Sequence, residues 1–351
     1  MKKHLIAAAV AVAVSAPVMA QNVSVYGTLD IGYQRADNGS DSYLRSVNGA
    51  IATSRLGFRG SEDLGGGLKA NFMIQGQLPM ATSITTTTDA RTANTSAFSI
   101  NEETWVGLSG GFGEIRVGRT DVTSAESIDT TVSQMGNLAQ STTFAPAAGG
   151  TTGELGGNSP NVIRYITPNI SGFTAQLGYA SKNDSGAVAD VDQAVTSIGL
   201  SYVSGALGLH AGFSKQKAQA ANDNTKLDHK ALGASYDFGV ASVGYYYSES
   251  DQSITTNDRD VERNNLSVKV PMGNGLAIHA AYMTAKEEGT DAKGTGYTLA
   301  LTKALSKRST VYAAYSDNES KNAAGFAITG TNAPVGSNDS SALTVGIIHS
   351  F

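Results

Sequence analysis

Val23-Ser24-Val25-Tyr26-Gly27-Thr28-Leu29-Asp30-Ile31-Gly32-Tyr33-Gln34 alternates between two kinds of side chain. On an extended chain Val23, Val25, Leu29, Ile31 and Tyr33 share one face. Ser24, Tyr26, Thr28, Asp30 and Gln34 share the other. A period of two predicts a β-strand. Its length is near the roughly 9–11 residues a tilted strand needs to cross a bilayer. In a soluble protein the apolar face would be buried in a core; in a membrane barrel it would meet lipid. The rest of the chain has to choose between the two.

The same alternation recurs at 54–60, 68–77, 98–108, 114–119, 161–166, 173–181, 194–203 and 207–216. It continues at 230–237, 241–249, 264–270, 276–285, 296–304, 310–316 and 340–351. With 23–34 this makes about sixteen strands, an even number as bacterial single-chain barrels have. Tight turns such as Glu62-Asp63-Leu64-Gly65-Gly66-Gly67 alternate with long polar loops, the asymmetry of a membrane barrel. Between 173 and 179 one face carries Phe173, Ala175, Leu177 and Tyr179, the other Thr174, Gln176 and Gly178. Between 276 and 282 Leu276, Ile278, Ala280 and Tyr282 oppose Ala277, His279 and Ala281. A sandwich core needs large apolar residues on its inner face, whereas a small and polar inner face suits a wide aqueous interior. Tyr33, Phe58, Phe173, Tyr179, Tyr202, Tyr282, Tyr315 and Phe351 fall near strand ends, as an aromatic girdle requires. The predicted fold is all-β, a 16-stranded antiparallel transmembrane barrel.

Composition agrees. Lys2, Lys3 and His4 precede an apolar run at 5–14, and Val18-Met19-Ala20 supplies small residues at a cleavage site. Residues 1–20 are therefore expected to be an export signal, with the barrel occupying 21–351. The formal charge of −5 becomes −7 once Lys2 and Lys3 are gone, which argues against nucleic-acid binding. There is no cysteine, so disulfides and Cys-based metal sites are excluded. Forty Gly against 7 Pro, with 14 Tyr, suits many short strands and turns.

Residues 120–158 break the pattern. They are rich in Thr, Ser, Gly and Ala, have neither a helical nor a strand period, and carry Asp121, Glu126, Asp129 and Glu154 among scattered hydrophobics. A structureless loop of this length in a compact domain is usually functional. It is expected to fold into the lumen and to set the size and charge of the hole.

The ordered series Val25-Tyr26-Gly27-Thr28-Leu29-Asp30, Ser54-Arg55-Leu56-Gly57-Phe58-Arg59-Gly60, Val106-Gly107-Leu108, Gly111-Phe112-Gly113, Gly118-Arg119, Arg164-Tyr165, Leu305-Ser306-Lys307-Arg308 and Val345-Gly346-Ile347-Ile348-His349-Ser350-Phe351 resembles the Gram-negative general porins. The likeness is strongest to the beta-proteobacterial group. The resemblance implies an outer-membrane channel for passive diffusion of ions and small hydrophilic solutes. It implies a homotrimer among outer-membrane lipid and lipopolysaccharide, and a third external loop, here 120–158, bent into the channel. It also implies that Phe351 is read by the barrel-insertion machinery. No cofactor or metal is expected.

Such a channel works through charged side chains lining a narrow aqueous segment. Strand parity points Arg55, Arg59, Arg116 and Arg164 inward as a basic wall. Asp121, Glu126, Asp129 and Glu102 are expected on the acidic side. The chain departs from the family in carrying Glu102 where the fourth strand often has an inward Arg, Asn158 and Ile348 at places often basic, and Phe144-Ala145-Pro146 in the loop. Fewer positive charges predict weak or cation-leaning selectivity. Glu103 is placed on the outward face beside Trp105, sheltered by a neighbouring subunit, and Arg119 outward near a strand end.

Two other classes compete. An outer-membrane lipid hydrolase would need a Ser–His pair with an orienting group on the lipid face. His210, His229, His279 and His349 are the candidates, and none sits in a nucleophile motif. A surface barrel acting as an adhesin would have a plugged lumen. An acidic group at Asp251, Asp258, Asp260 and Glu262 reads as a solvated loop ahead of a cation site.

Overall fold

A computed structural model describes residues 23–37, 42–78, 100–122, 125, 127–139, 158–181, 192–219, 226–253, 258–321 and 339–351. The expected export signal lies outside them. The described strands are β1 (Ser24–Asp37), β2 (Ser42–Asn48), β3 (Arg55–Gly65), β4 (Leu68–Gln77), β5 (Thr104–Gly110), β6 (Gly113–Asp121), β7 (Asn158–Ile166), β8 (Phe173–Ala180) and β9 (Asp192–Ser204). They continue as β10 (Leu207–Gln219), β11 (Lys226–Asp237), β12 (Ser242–Ser253), β13 (Arg259–Gly273), β14 (Leu276–Glu287), β15 (Lys293–Ala304), β16 (Ser309–Lys321) and β17 (Asp339–Ser350).

From β3 onward each strand pairs antiparallel with its sequence neighbour, and β17 returns to pair with β1 from Thr28↔Ser350 to Asp37↔Ser341. The sheet is closed, so it has no free edge to aggregate. β1 pairs with β2 over Ile31–Asp37 and with β3 over Ser24–Thr28. Thus β2 and β3 are two halves of one wall position, interrupted at 49–54, and the barrel has sixteen positions. The expected polar loop ahead of residue 54 is therefore partly strand. Its Tyr43-Leu44-Arg45-Ser46-Val47 alternates over too few residues to stand out.

The two faces divide as their chemistry requires. Val106 is 65% exposed, Leu177 50% and Ile278 44%, all on the outer surface, while neighbouring inward residues such as Trp105, Ser197 and His279 are buried. An apolar belt of this extent is unfavourable against water by about 25 cal/mol per Å² and is favoured against hydrocarbon. Rings mark both borders of the belt. Phe173 and Tyr202 sit 4.4 Å apart at the short-turn end. Toward the long-loop end the hydroxyls of Tyr247 and Tyr315 reach Glu249 and Asp317 at 2.6 and 3.0 Å. Each of these tyrosines thus has an apolar body and a wet tip, which suits an interface.

The described part of the long loop follows the inner wall. Val122 packs among Val162, Ala180, Val195 and Leu227. A short helix, α1 (Ser127–Val132), sets Ile128 and Val132 against Ala231 and Tyr246. A 3₁₀ turn (Gly136–Ala139) follows, and Met135 and Leu138 pack with Val47, Ala50, Ala281, Ala300, Tyr312 and Ala314. The hydrophobics that look scattered in sequence form a seam against small inward residues. One glycine shows how close the approach is: a Cβ on Gly244 would lie 1.9 Å from the Val132 carbonyl oxygen. Polar rivets hold the seam, because a loop crossing a barrel must still satisfy its backbone. The Gln134 N–H donates to Ser267 Oγ at 3.0 Å. His279 Nδ1 donates to the Gln134 carbonyl at 2.7 Å, and Thr298 Oγ1 to the Leu138 carbonyl at 3.0 Å. The described part of the loop is thus not structureless, since tertiary packing supplies the helix that local periodicity does not announce.

Candidate functional site

With the loop lying along β8 to β16, the opposite wall, β3 to β7, carries the charged groups. Arg55 opens β3, and its side chain is 37% exposed. Its Nε lies 3.6 Å from Glu102 Oε2. Glu102 is itself buried and accepts Gln75 Nε2 at 2.6 Å and Gln77 Nε2 at 3.2 Å. Gln75 in turn accepts the Tyr26 hydroxyl at 2.8 Å. Arg59 lies over the Tyr26 ring, 4.9 Å from its centroid. A cation on an aromatic face is held without being neutralised.

Arg116 and Arg164 are direct cross-strand partners on β6 and β7. Like charges opposite one another are destabilising unless compensated, and both have compensation. Arg116 stacks on Trp105 at 4.3 Å, donates from Nη2 to Glu114 at 2.9 Å, and brings Nη1 within 4.0 Å of Glu103. Arg164 donates to Gln176 and feels the Asp121 carboxylate.

These contacts correct the outward placement of Glu103 and Trp105. Thr104, Val106 and Leu108 are the exposed members of β5, so Trp105 belongs to the inner face. Its indole N–H donates to Glu103 Oε2 at 2.8 Å, and Thr120 Oγ1 donates to Glu103 Oε1 at 3.1 Å. Residues 100–103 lie before the strand, where alternation does not apply, so Glu102 and Glu103 both reach the inner wall. Arg119 does not alternate inward with Arg116. It caps strand ends by donating to the Asn158 carbonyl at 2.7 Å and the Asn101 carbonyl at 3.4 Å.

The expected acids do not form one opposing row. Asp121 ends β6, on the same side as the arginines. Asp129 is fully buried on α1 and accepts Asn265 Nδ2 of β13 at 2.8 Å. It docks the loop to the wall and has no surface toward open water, because a carboxylate on the wall-facing side of a short helix finds the wall first. Glu126 and Glu154 lie outside the described residues.

Sequence reasoning missed Gln75, Glu103, Trp105, Glu114 and Gln176 as members of this network. The signal was available for one pair. Folding 104–121 about the turn before Gly113 sets Gly107 opposite Arg116 and Trp105 opposite Gly118. Trp105 is then diagonal to Arg116, within reach of a long side chain.

Phe351 is outward and 43% exposed, and its backbone exchanges two 3.1 Å hydrogen bonds with Gly27. Its ring occupies the space a Gly27 side chain would take. The four histidine candidates are wall residues. His210 meets Ser201 at 3.0 Å, His229 meets Ser250 at 2.7 Å, and His349 meets Ser309 at 2.9 Å. The acidic group at 251–262 lies on and beside the ends of β12 and β13. No group of three or more potential metal ligands occurs among the described residues.

A closed sixteen-position barrel with an apolar exterior, a polar lining and a loop folded inside defines a membrane channel. The sequence pattern of the Gram-negative porins matches residues 7–323, and the chain belongs to that family. It is an outer-membrane porin, a barrel whose water-filled channel passes ions and small hydrophilic solutes by diffusion. The chain is 31% identical to outer membrane porin protein 32 of Delftia acidovorans over the full length of both. It is 29% identical to an outer membrane porin protein of Bordetella pertussis over 71% of this chain and 70% of that one. Among solved structures, an anion-selective porin from Comamonas acidovorans superposes with a TM-score of 0.81 at 27% identity. That match covers 95% of this chain and 100% of the other.

Proposed function

We propose that this porin is a weakly selective channel, because the basic groups of its narrow wall are largely matched by acids on the same wall. The observation that carries the reading is the pairing of Arg55 with Glu102 and of Arg116 with Glu103 and Glu114. Paired charges present local dipoles to a passing ion and little net potential. Arg59, stacked on Tyr26, is the positive group that leans the balance toward anions. Asp121 acts in the opposite direction through its charge on Arg164. The anion selectivity named for the Comamonas relative is thus not carried over to this chain. Reversal potentials of single channels in a salt gradient test the reading. Values near zero support it, and a strong anion preference refutes it.

We further infer a homotrimer in contact with lipopolysaccharide, a leader at 1–20 removed after Ala20, and recognition of Phe351 during insertion. Support for the trimer comes from the trimer form named for a Vibrio cholerae neighbour of the same fold. The channel does no bond chemistry. The Ser309–His349 contact on the outer face uses His349 Nδ1, the nitrogen an orienting acid holds in the Ser-His-Asp arrangement.

A further inference from the structure

The wall position shared by β2 and β3 breaks at 49–54, and a barrel strand does not break without cause. The cause is Asp30. It has no exposed surface, and both carboxylate oxygens are engaged by different parts of the molecule. Oδ2 accepts the N–H groups of Ile51 and Ala52 at 2.7 and 2.8 Å. Oδ1 accepts the Tyr312 hydroxyl of β16 at 2.7 Å. The backbone adds three more links. The Asp30 N–H donates to Ser54 Oγ at 2.8 Å, Ser54 Oγ donates to the Asp30 carbonyl at 3.1 Å, and the Gly49 N–H donates to that carbonyl at 2.9 Å. Segment 49–54 is therefore wound around one carboxylate.

The turn in turn holds the far end of the described part of the constriction loop. The Asn137 N–H donates to the Ile51 carbonyl at 2.9 Å. Asn137 Nδ2 donates to the Gly49 carbonyl at 2.9 Å and to Thr53 Oγ1 at 3.4 Å. Gly136 has φ +57°, and a Cβ there would lie 2.2 Å from the Ile51 oxygen, so the approach needs glycine. Met135 and Leu138 seat in the same cluster as Tyr312, whose hydroxyl holds Asp30.

We propose that Asp30 is a positioning residue that fixes the bore: through the 49–54 turn and Asn137 it clamps the constriction loop against β1, β2 and β16. Asp30 touches no solute. Its carboxylate joins β1, the 49–54 turn and β16, and charge-assisted bonds of this kind hold geometry better than neutral ones. The described part of the loop is thereby pinned at its start by β6 and past its helix by Asn137. This inference rests on the channel function and not on the charge pairing proposed above.

The test compares Asp30→Ala, Tyr312→Phe and Asn137→Ala with the parent as purified oligomers in planar bilayers and in liposome swelling. Each variant is expected to show higher open-channel conductance, more current noise and uptake of sugars that the parent excludes. The reversal potential is expected to stay at the parent value. The parent has no cysteine, so Ile51→Cys with Asn137→Cys forms one defined cross-link on the Asp30→Ala background. Oxidation is expected to restore the parent conductance and size limit, which general loss of stability would not allow. If Asp30→Ala does not fold, Tyr312→Phe and Asn137→Ala carry the same test through the hydroxyl and the clip. Parent conductance and size limit in folded variants would overturn the proposal. So would a larger bore that the cross-link does not reverse. A changed reversal potential with an unchanged size limit would also overturn it, and would leave the charge-pairing account standing.

Discussion

Glu102→Gln removes one charge and almost no volume. The carboxylate is buried and tied to Gln75 and Gln77, and an amide in its place still offers an acceptor to Gln75 Nε2. The Arg55 guanidinium, 3.6 Å away on a side chain 37% exposed, is left without its partner. The lumen therefore gains a positive charge at its wall. An anion passing about 5 Å from that charge is favoured by about 0.8 kcal/mol in a water-like dielectric. Screening at about 0.1 M salt lowers this to about 0.5 kcal/mol. That corresponds to roughly twofold enrichment of anions and a matching depletion of cations, or about a fivefold rise in the anion-to-cation permeability ratio. For a channel that begins without preference, the reversal potential in a salt gradient of about tenfold then moves by about 30 mV toward the anion limit. Single-channel recording in a planar bilayer reads this directly. A folded Glu102→Gln channel with the parent reversal potential would show that Glu102 does not balance Arg55, and the charge-pairing argument would fail.

Gly244→Val should drive a side chain into the Val132 carbonyl and lift α1 from the wall, lowering stability by about 1–3 kcal/mol in detergent melting and adding current noise. Asp129→Ala should leave reversal potentials unchanged, because the carboxylate is buried against Asn265. It should still lower stability by about 1–3 kcal/mol through loss of that buried hydrogen bond, as melting curves would register. Trp105→Ala removes the surface on which Arg116 stacks and the donor to Glu103, so it should loosen both and raise current noise. Phe351→Ala should reduce the amount of barrel in cell outer membranes while the purified chain still refolds in detergent micelles. Equal surface amounts would count against a role in insertion.

Much of the barrel is legible from one dimension, because a membrane strand repeats a simple rule. At 173–179 and 276–282 each residue's face follows from its parity, and the turns follow from Gly and Asn. The rule fails where the backbone leaves the ladder. Glu102 and Glu103 precede β5, so neighbours in sequence reach the same wall. The break at 49–54 depends on Asp30 of the preceding strand β1, and no local pattern announces it. The constriction loop reads as polar because its apolar contacts are spaced by wall geometry and by no helical period. Arg55, Arg59, Arg116 and Arg164 could be placed on the inner face from sequence. Their partners could not, since a hydrogen bond such as Arg164 to Gln176 depends on strand register across a turn.

The most direct test of the whole account uses the absence of native cysteine. Single cysteines at 173, 174, 175, 176 and 177 in the intact membrane-embedded oligomer are treated with a small water-soluble maleimide. The account predicts that Thr174→Cys and Gln176→Cys react, while Phe173→Cys, Ala175→Cys and Leu177→Cys are shielded by hydrocarbon. Equal reaction at all five, or reaction only at the apolar positions, would contradict a water-filled lumen behind a lipid-facing wall.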